Sequence, residues 1–97
     1  MNTDDTPVDI LRQLIAIPSI NPSFTDPEEL KGEHRVAAFV AAALEDLGFG
    51  IESLPAESNP CNLVARRGPR APRFSVTFEV HLDTVGVQDM EINPFAA

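Results

Sequence analysis

The chain has 97 residues, 43% of them hydrophobic and 23% charged, with fifteen acidic side chains against seven basic ones and a formal charge of −8. That is one small domain at most, able to bury ~60–65% of the surface its unfolded chain exposes, and its composition is neither disordered nor membrane-like. The acidity argues against nucleic acid or an anionic membrane as the main partner, since both need a basic face. The single cysteine, Cys61, excludes an intrachain disulfide and a cysteine-based zinc site.

The opening Met1-Asn2-Thr3-Asp4-Asp5 is acidic where a secretory signal is basic and then apolar, and no run reaches the ~18 apolar residues of a membrane span, so a cytoplasmic protein is expected. Thr6-Pro7 opens the first predicted helix, over about 7–17: threonine is a good cap and proline suits the first helical position, where its missing N–H costs nothing. Asp9 falls near the positive end of the dipole, and Ile10, Leu11, Leu14 and Ile15 form an apolar stripe. Pro18 ends the helix. A polar loop holding Pro22 and Pro27 follows, then a second helix over about 30–47 with Val36, Phe39, Val40, Ala43, Leu44 and Leu47 on its buried face. Gly48 follows as the residue that closes it, with Phe49 placed for the accompanying apolar contact.

Near Gly48 the apolar period changes from 3.6 to 2, and three strands are expected, near 49–54, 62–67 and 74–82, with a turn over Pro55 to Pro60. The last is the strongest: Phe74, Val76, Phe78, Val80 and Leu82 alternate with Ser75, Thr77, Glu79 and His81. Between the second and third strands Arg66, Arg67, Arg70 and Arg73 gather around Gly68, Pro69 and Pro72, the composition of an exposed turn. The order helix, helix, strand, strand, strand suits an α/β fold in which two helices pack on a mixed sheet.

His81-Leu82-Asp83-Thr84-Val85 closes the third strand. Side chains two apart on a strand share a face, so His81 and Asp83 project together. Neutral imidazole is the commonest metal ligand, and a neighbouring carboxylate orients the ring and fixes its tautomer. Taken alone, a His-x-Asp pair is more often a solvated surface pair. Other polar residues have bland readings. His34 begins the second helix as a surface residue; Glu28, Glu29 and Glu33 suit a helix N-terminus; Cys61 is a small half-buried residue with no evident base beside it.

The surroundings of His81 add to this. Leu14-Ile15-Ala16-Ile17-Pro18-Ser19 with Asn21-Pro22, then Gly32-Glu33 with Val36-Ala37 and Leu44-Glu45-Asp46-Leu47-Gly48-Phe49, then Asn62-Leu63-Val64-Ala65-Arg66, then Val80-His81-Leu82-Asp83-Thr84-Val85 and Asn93-Pro94-Phe95, come in one order. Over residues 8–97 this series resembles the co-catalytic di-zinc amidohydrolases and metallopeptidases, a family that includes acetylornithine deacetylase, succinyl-diaminopimelate desuccinylase, aminoacylase and glutamate carboxypeptidases. The resemblance implies the start of a zinc-exopeptidase-like three-layer fold, here incomplete. His81 corresponds to the family's first zinc ligand and Asp83 to the catalytic-site aspartate that clamps its imidazole. Val80 stands where the family commonly has glycine, and Gly86 where it often has proline.

The family's reaction is metal-assisted amide hydrolysis with two zinc ions, for which cobalt can substitute. A bridging aspartate, further carboxylate and histidine ligands and a glutamate general base complete the site, and the resemblance places none of them in this sequence. It implies that residues 1–97 are the N-terminal part of a catalytic domain. The rest of that domain, an inserted dimerisation domain and the homodimer they form would belong to a longer protein. The expected substrate is an N-acyl amino acid or small peptide, with no residue assignable to binding it. The chain by itself is expected to be inactive, to bind zinc weakly, and either to self-associate through its third strand, where Glu79 is the one formally charged residue, or to be a loosely packed monomer. The competing expectation is a stand-alone, non-catalytic α/β interaction module.

Overall fold

The computed structural model describes residues 4–54 and 62–97. It is a small mixed α/β fold. The first helix, α1, spans Pro7–Ile15 and begins in a capping box. The Asp9 N–H donates to Thr6 Oγ1 at 3.2 Å, and the Thr6 N–H donates to Asp9 Oδ2 at 2.9 Å. Two N–H groups that lack helical partners are thereby satisfied. The same Thr6 backbone bond holds the Asp9 carboxyl below its ordinary pKa. None of the residues of α1 is buried, and Val8 and Leu11 are more than half exposed. The stripe expected to face a core is thus only partly covered.

A 3-10 turn, Glu28–Leu30, precedes the second helix, α2, at Glu33–Asp46. The end of α2 follows the expected chemistry. Gly48 has φ +89°, its N–H donates to the Glu45 carbonyl at 2.9 Å, and the Phe49 N–H donates to the Leu44 carbonyl at 3.0 Å. These are the two bonds of a Schellman close, and the left-handed turn they require is what glycine supplies without strain. Val36, Ala37 and Ala43 are buried on α2, while Phe39, Val40 and Leu44 are half-buried and Leu47 is exposed.

The strands β1 (Gly50–Ser53) and β2 (Leu63–Arg66) pair antiparallel, with Gly50 opposite Arg66 and Ser53 opposite Leu63. Arg66 Nη1 donates to Glu52 Oε2 at 3.1 Å on one face of the ribbon. The helix α2 packs on both strands. The turn expected over Pro55 to Pro60, and Cys61, lie outside the described residues.

The sequence differs from the structure most at the third strand. Residues 74–82 form neither helix nor strand, so the sheet is an antiparallel pair, where a three-stranded mixed sheet was expected. Phe74, Val76, Phe78 and Val80 are 79–86% exposed. Alternation encodes which side of a segment is apolar, but a strand is made by a neighbour's backbone, and no backbone hydrogen bond engages residues 74–82 among the described residues. No helix among the described residues is long and apolar enough to cross a membrane.

Candidate functional site

The site is built where the loop after α1 meets the segment that follows residue 82. Ser19 and Ile20 lie between two backbones. On one side the Ile20 N–H donates to the Leu30 carbonyl and the Gly32 N–H donates to the Pro18 carbonyl, at 2.9 and 3.0 Å. On the other, the Thr84 N–H donates to the Ser19 carbonyl and the Asn21 N–H donates to the Thr84 carbonyl, both at 2.9 Å. Ile20 is fully buried at this crossing, and Ser19 is nearly so. The Lys31 side chain is 8% exposed and donates through Nζ to the Pro22 carbonyl at 3.3 Å and to Glu28 Oε1 at 2.9 Å, tying down the same loop.

This crossing carries Asn21 to Asp83, 62 positions away in the chain. Asn21 Nδ2 donates to Asp83 Oδ2 at 2.7 Å. The other end of the amide is also engaged: the Ser23 N–H donates to Asn21 Oδ1 at 2.8 Å, a local turn that leaves Nδ2 as the group facing the carboxylate. Asp83 then holds His81. His81 Nδ1 lies 2.8 Å from the Asp83 carbonyl oxygen and 3.3 Å from Asp83 Oδ1. Both oxygens are acceptors, so Nδ1 is the donor, and in the neutral imidazole Nε2 keeps its lone pair. The His81 side chain is 85% exposed, whereas that of Asp83 is 30% exposed.

The Asn21 amide is the largest influence on the Asp83 carboxyl, and it holds the pKa below the ordinary aspartate value. Partial burial acts in the opposite direction and is outweighed; the Asp83 backbone and His81 add to the lowering.

A second anchor stands a few residues along both segments. Asp26 is 4% exposed, and its Oδ2 accepts the Val87 N–H at 3.0 Å. Beside it Gly86 has no room for a side chain, since a Cβ there would sit 2.6 Å from Asp26 Oδ1 and 2.7 Å from the Phe24 ring. Gln88 Nε2 donates to Thr25 Oγ1 at 3.2 Å. A shallow groove opens between Phe24–Asp26 and Gln88–Met90.

Of the residues singled out in the sequence, His81 and Asp83 are together and in contact. The strand expected to carry them is absent: residues 81–83 are irregular, and only Thr84, next to Asp83, bridges Ile20 in parallel. His34 is exposed on α2, and Arg66, Arg67, Arg70 and Arg73 are all exposed. Asn21, Asp26 and Gly86 emerge from the fold as parts of the site. Asn21 stood in the quoted Asn21-Pro22 pair without a role, and Asp26 carried no signal beyond an acid between Thr25 and Pro27.

One imidazole held at Nδ1 by the Asp83 carbonyl, with the Asp83 carboxylate 3.3 Å away, has the donor chemistry of a single zinc ligand and its orienting partner. Among the described residues no group of three or more His, Cys, Asp and Glu side chains could hold a metal. No protein-family model, no curated protein and no solved structure matches this chain.

Proposed function

We propose that this chain supplies the first zinc ligand, His81, and its carboxylate clamp, Asp83, to a co-catalytic di-zinc hydrolase that cleaves the amide bond of an N-acyl amino acid or small peptide. Residues 1–97 would be the N-terminal part of its catalytic domain, inactive alone. The reading rests on the resemblance across residues 8–97. The observation that supports it best is the relay from Asn21 through Asp83 to His81, which presents Nε2 outward and protects Nδ1. A solvated surface pair has no need of a third residue brought from 62 positions away. A bound zinc would supply a Lewis acid for the amide carbonyl and for water. The chain's own part is to hold one ligand in one tautomer and one orientation.

Zinc titration of the 15N-labelled chain tests this. The expected result is weak binding that shifts His81 Nε2, leaves Nδ1 protonated and spares His34. Coordination at Nδ1, or at His34 in preference to His81, would overturn it. A tight site abolished by His81→Ala would show that further ligands lie within these residues.

A second reading, a non-catalytic interaction module, is favoured by the exposure of Phe74, Val76, Phe78 and Val80. The zinc titration separates the two, because a module has no need of a bare Nε2.

A further inference from the structure

Lys31 is the chain's one lysine, and its side chain, 8% exposed, reaches back nine positions to the loop that carries Asn21. We infer that Lys31 is a positioning residue for His81, acting through the Pro22–Ser23 peptide and the Asn21 amide. Its part in a hydrolase rests on His81 being a zinc ligand, whereas the bonds that link the two residues do not.

A lysine gives up solvent only where its ammonium finds partners. Lys31 Nζ donates to Glu28 Oε1 at 2.9 Å and to the Pro22 carbonyl at 3.3 Å. The ion pair does not call for burial, since the Glu28 side chain is 88% exposed and a pair three residues apart forms equally well in water. The Pro22 carbonyl is what burial brings within reach. The backbone sets the stem in place: Lys31 bridges Ser19 antiparallel, between the bond from the Ile20 N–H to the Leu30 carbonyl and the bond from the Gly32 N–H to the Pro18 carbonyl.

From that carbonyl a series of bonds leads to the imidazole. The Pro22 carbonyl and the Ser23 N–H belong to one peptide group. The Ser23 N–H donates to Asn21 Oδ1 at 2.8 Å, and Asn21 Nδ2, the other end of the same side-chain amide, donates to Asp83 Oδ2 at 2.7 Å. Two conjugated amides therefore stand in series between an ammonium and a carboxylate. Each accepts through oxygen on the Lys31 side and donates through nitrogen on the Asp83 side. A cation at an amide oxygen draws electron density from the nitrogen and makes its N–H a better donor. Bonds aligned in one sense strengthen each other in this way by about 10–30% per bond. The series also fixes the Asn21 amide, because turning it would set its NH2 group against the Ser23 N–H. At the far end, Asp83 Oδ1 lies 3.3 Å from His81 Nδ1. Every bond lies within residues 21–31 and 81–83, and none needs a free strand edge, so further chain packed around them leaves the series intact.

NMR couplings across hydrogen bonds, recorded in the metal-free, 15N- and 13C-labelled chain at a pH where the imidazole is neutral, test this. The expected result in the wild type is one coupling from the Ser23 amide nitrogen to Asn21 Cγ and another from Asn21 Nδ2 to Asp83 Cγ. In Lys31→Met, similar in length and uncharged, both couplings should fall, the Ser23 amide proton should move upfield, and the His81 ring should pass from Nδ1-protonated to a mixture of tautomers. Lys31→Arg, which keeps a cationic donor, should retain the wild-type pattern. Glu28→Gln leaves the ammonium to the Pro22 carbonyl and should weaken neither coupling. A lysine that only stabilised the fold would lower the urea midpoint when replaced and leave the couplings and the tautomer of the folded chain unmoved. Absent couplings in the wild type, an unmoved tautomer in folded Lys31→Met, or a loss in Glu28→Gln equal to that in Lys31→Met would each overturn the inference; the first and last apply even if Lys31→Met does not fold. Zinc bound at His34 in preference to His81 would end the hydrolase reading and leave these bonds untouched.

Discussion

Replacing Asp26 with alanine probes whether the loop that carries Asn21 is held to the segment that carries Asp83. In the native fold Asp26 is 4% exposed and its Oδ2 accepts the Val87 N–H at 3.0 Å. Alanine removes the acceptor and leaves a sheltered N–H without a partner. A buried donor so orphaned costs about 1–3 kcal/mol, with bonds to charged acceptors at the upper end. Since each 1.4 kcal/mol is tenfold, the docked fraction of the loop should fall by about 5- to 150-fold relative to the undocked. Other bonds span the same contact: the Asn21 N–H to the Thr84 carbonyl, the Thr84 N–H to the Ser19 carbonyl, Asn21 Nδ2 to Asp83 Oδ2, and Gln88 Nε2 to Thr25 Oγ1. If the loop docks as a unit, amide hydrogen exchange should accelerate by that factor at Thr84 and Asn21 as well as at Val87. Asp26→Asn, which keeps an oxygen acceptor and the volume, should show a smaller change. Faster exchange at Val87 with Thr84 and Asn21 unmoved would refute the reasoning: the two anchors would then be independent, and Asp26 would have no part in placing Asn21.

Gly32→Ala should destabilise the fold by about 1–3 kcal/mol, because the added Cβ would lie 2.5 Å from the Pro18 carbonyl oxygen, which is backbone and itself accepts the Gly32 N–H. The urea midpoint should fall with an unchanged slope, and an unchanged midpoint would contradict the close approach. The Asp83 carboxyl is held below its ordinary pKa, chiefly by Asn21, so its contribution to stability is complete above the unfolded value of about 3.9 and is lost as pH falls through the lower folded value. The 13C signal of the Asp83 carboxyl should therefore titrate below that value in the wild type and move up toward it in Asn21→Ala. A wild-type midpoint at or above the ordinary value would contradict the Asn21 bond.

The parts of the fold legible in the sequence are those written in short-range chemistry. Thr6-Pro7 marked the start of α1, and Gly48 marked the end of α2 through the one residue type that takes φ +89° freely. The positions of β1 and β2 followed from the change of apolar period. Residues 74–82 show where that logic stops, because a period-2 pattern specifies a face and says nothing of whether another backbone lies alongside. The site divides in the same way. His81 and Asp83 were paired by a strand's period of 2 and by the resemblance; they do meet, but no strand runs through them, and the contact is a local bend in which Nδ1 reaches the Asp83 carbonyl. Asn21 and Asp26 reach their partners across 62 and 61 positions, through a crossing at Ile20 and Thr84 that no periodicity in either segment encodes.

Through Asp83, Asn21 holds the neutral His81 imidazole with its proton on Nδ1 and its lone pair on Nε2. The 15N shifts of the His81 ring, recorded in the metal-free chain at a pH where the imidazole is neutral, measure this directly. The expected result is a protonated Nδ1 and an unprotonated Nε2 in the wild type, with a mixture of tautomers in Asn21→Ala. A proton mainly on Nε2, or a tautomer unmoved by Asn21→Ala, would contradict it.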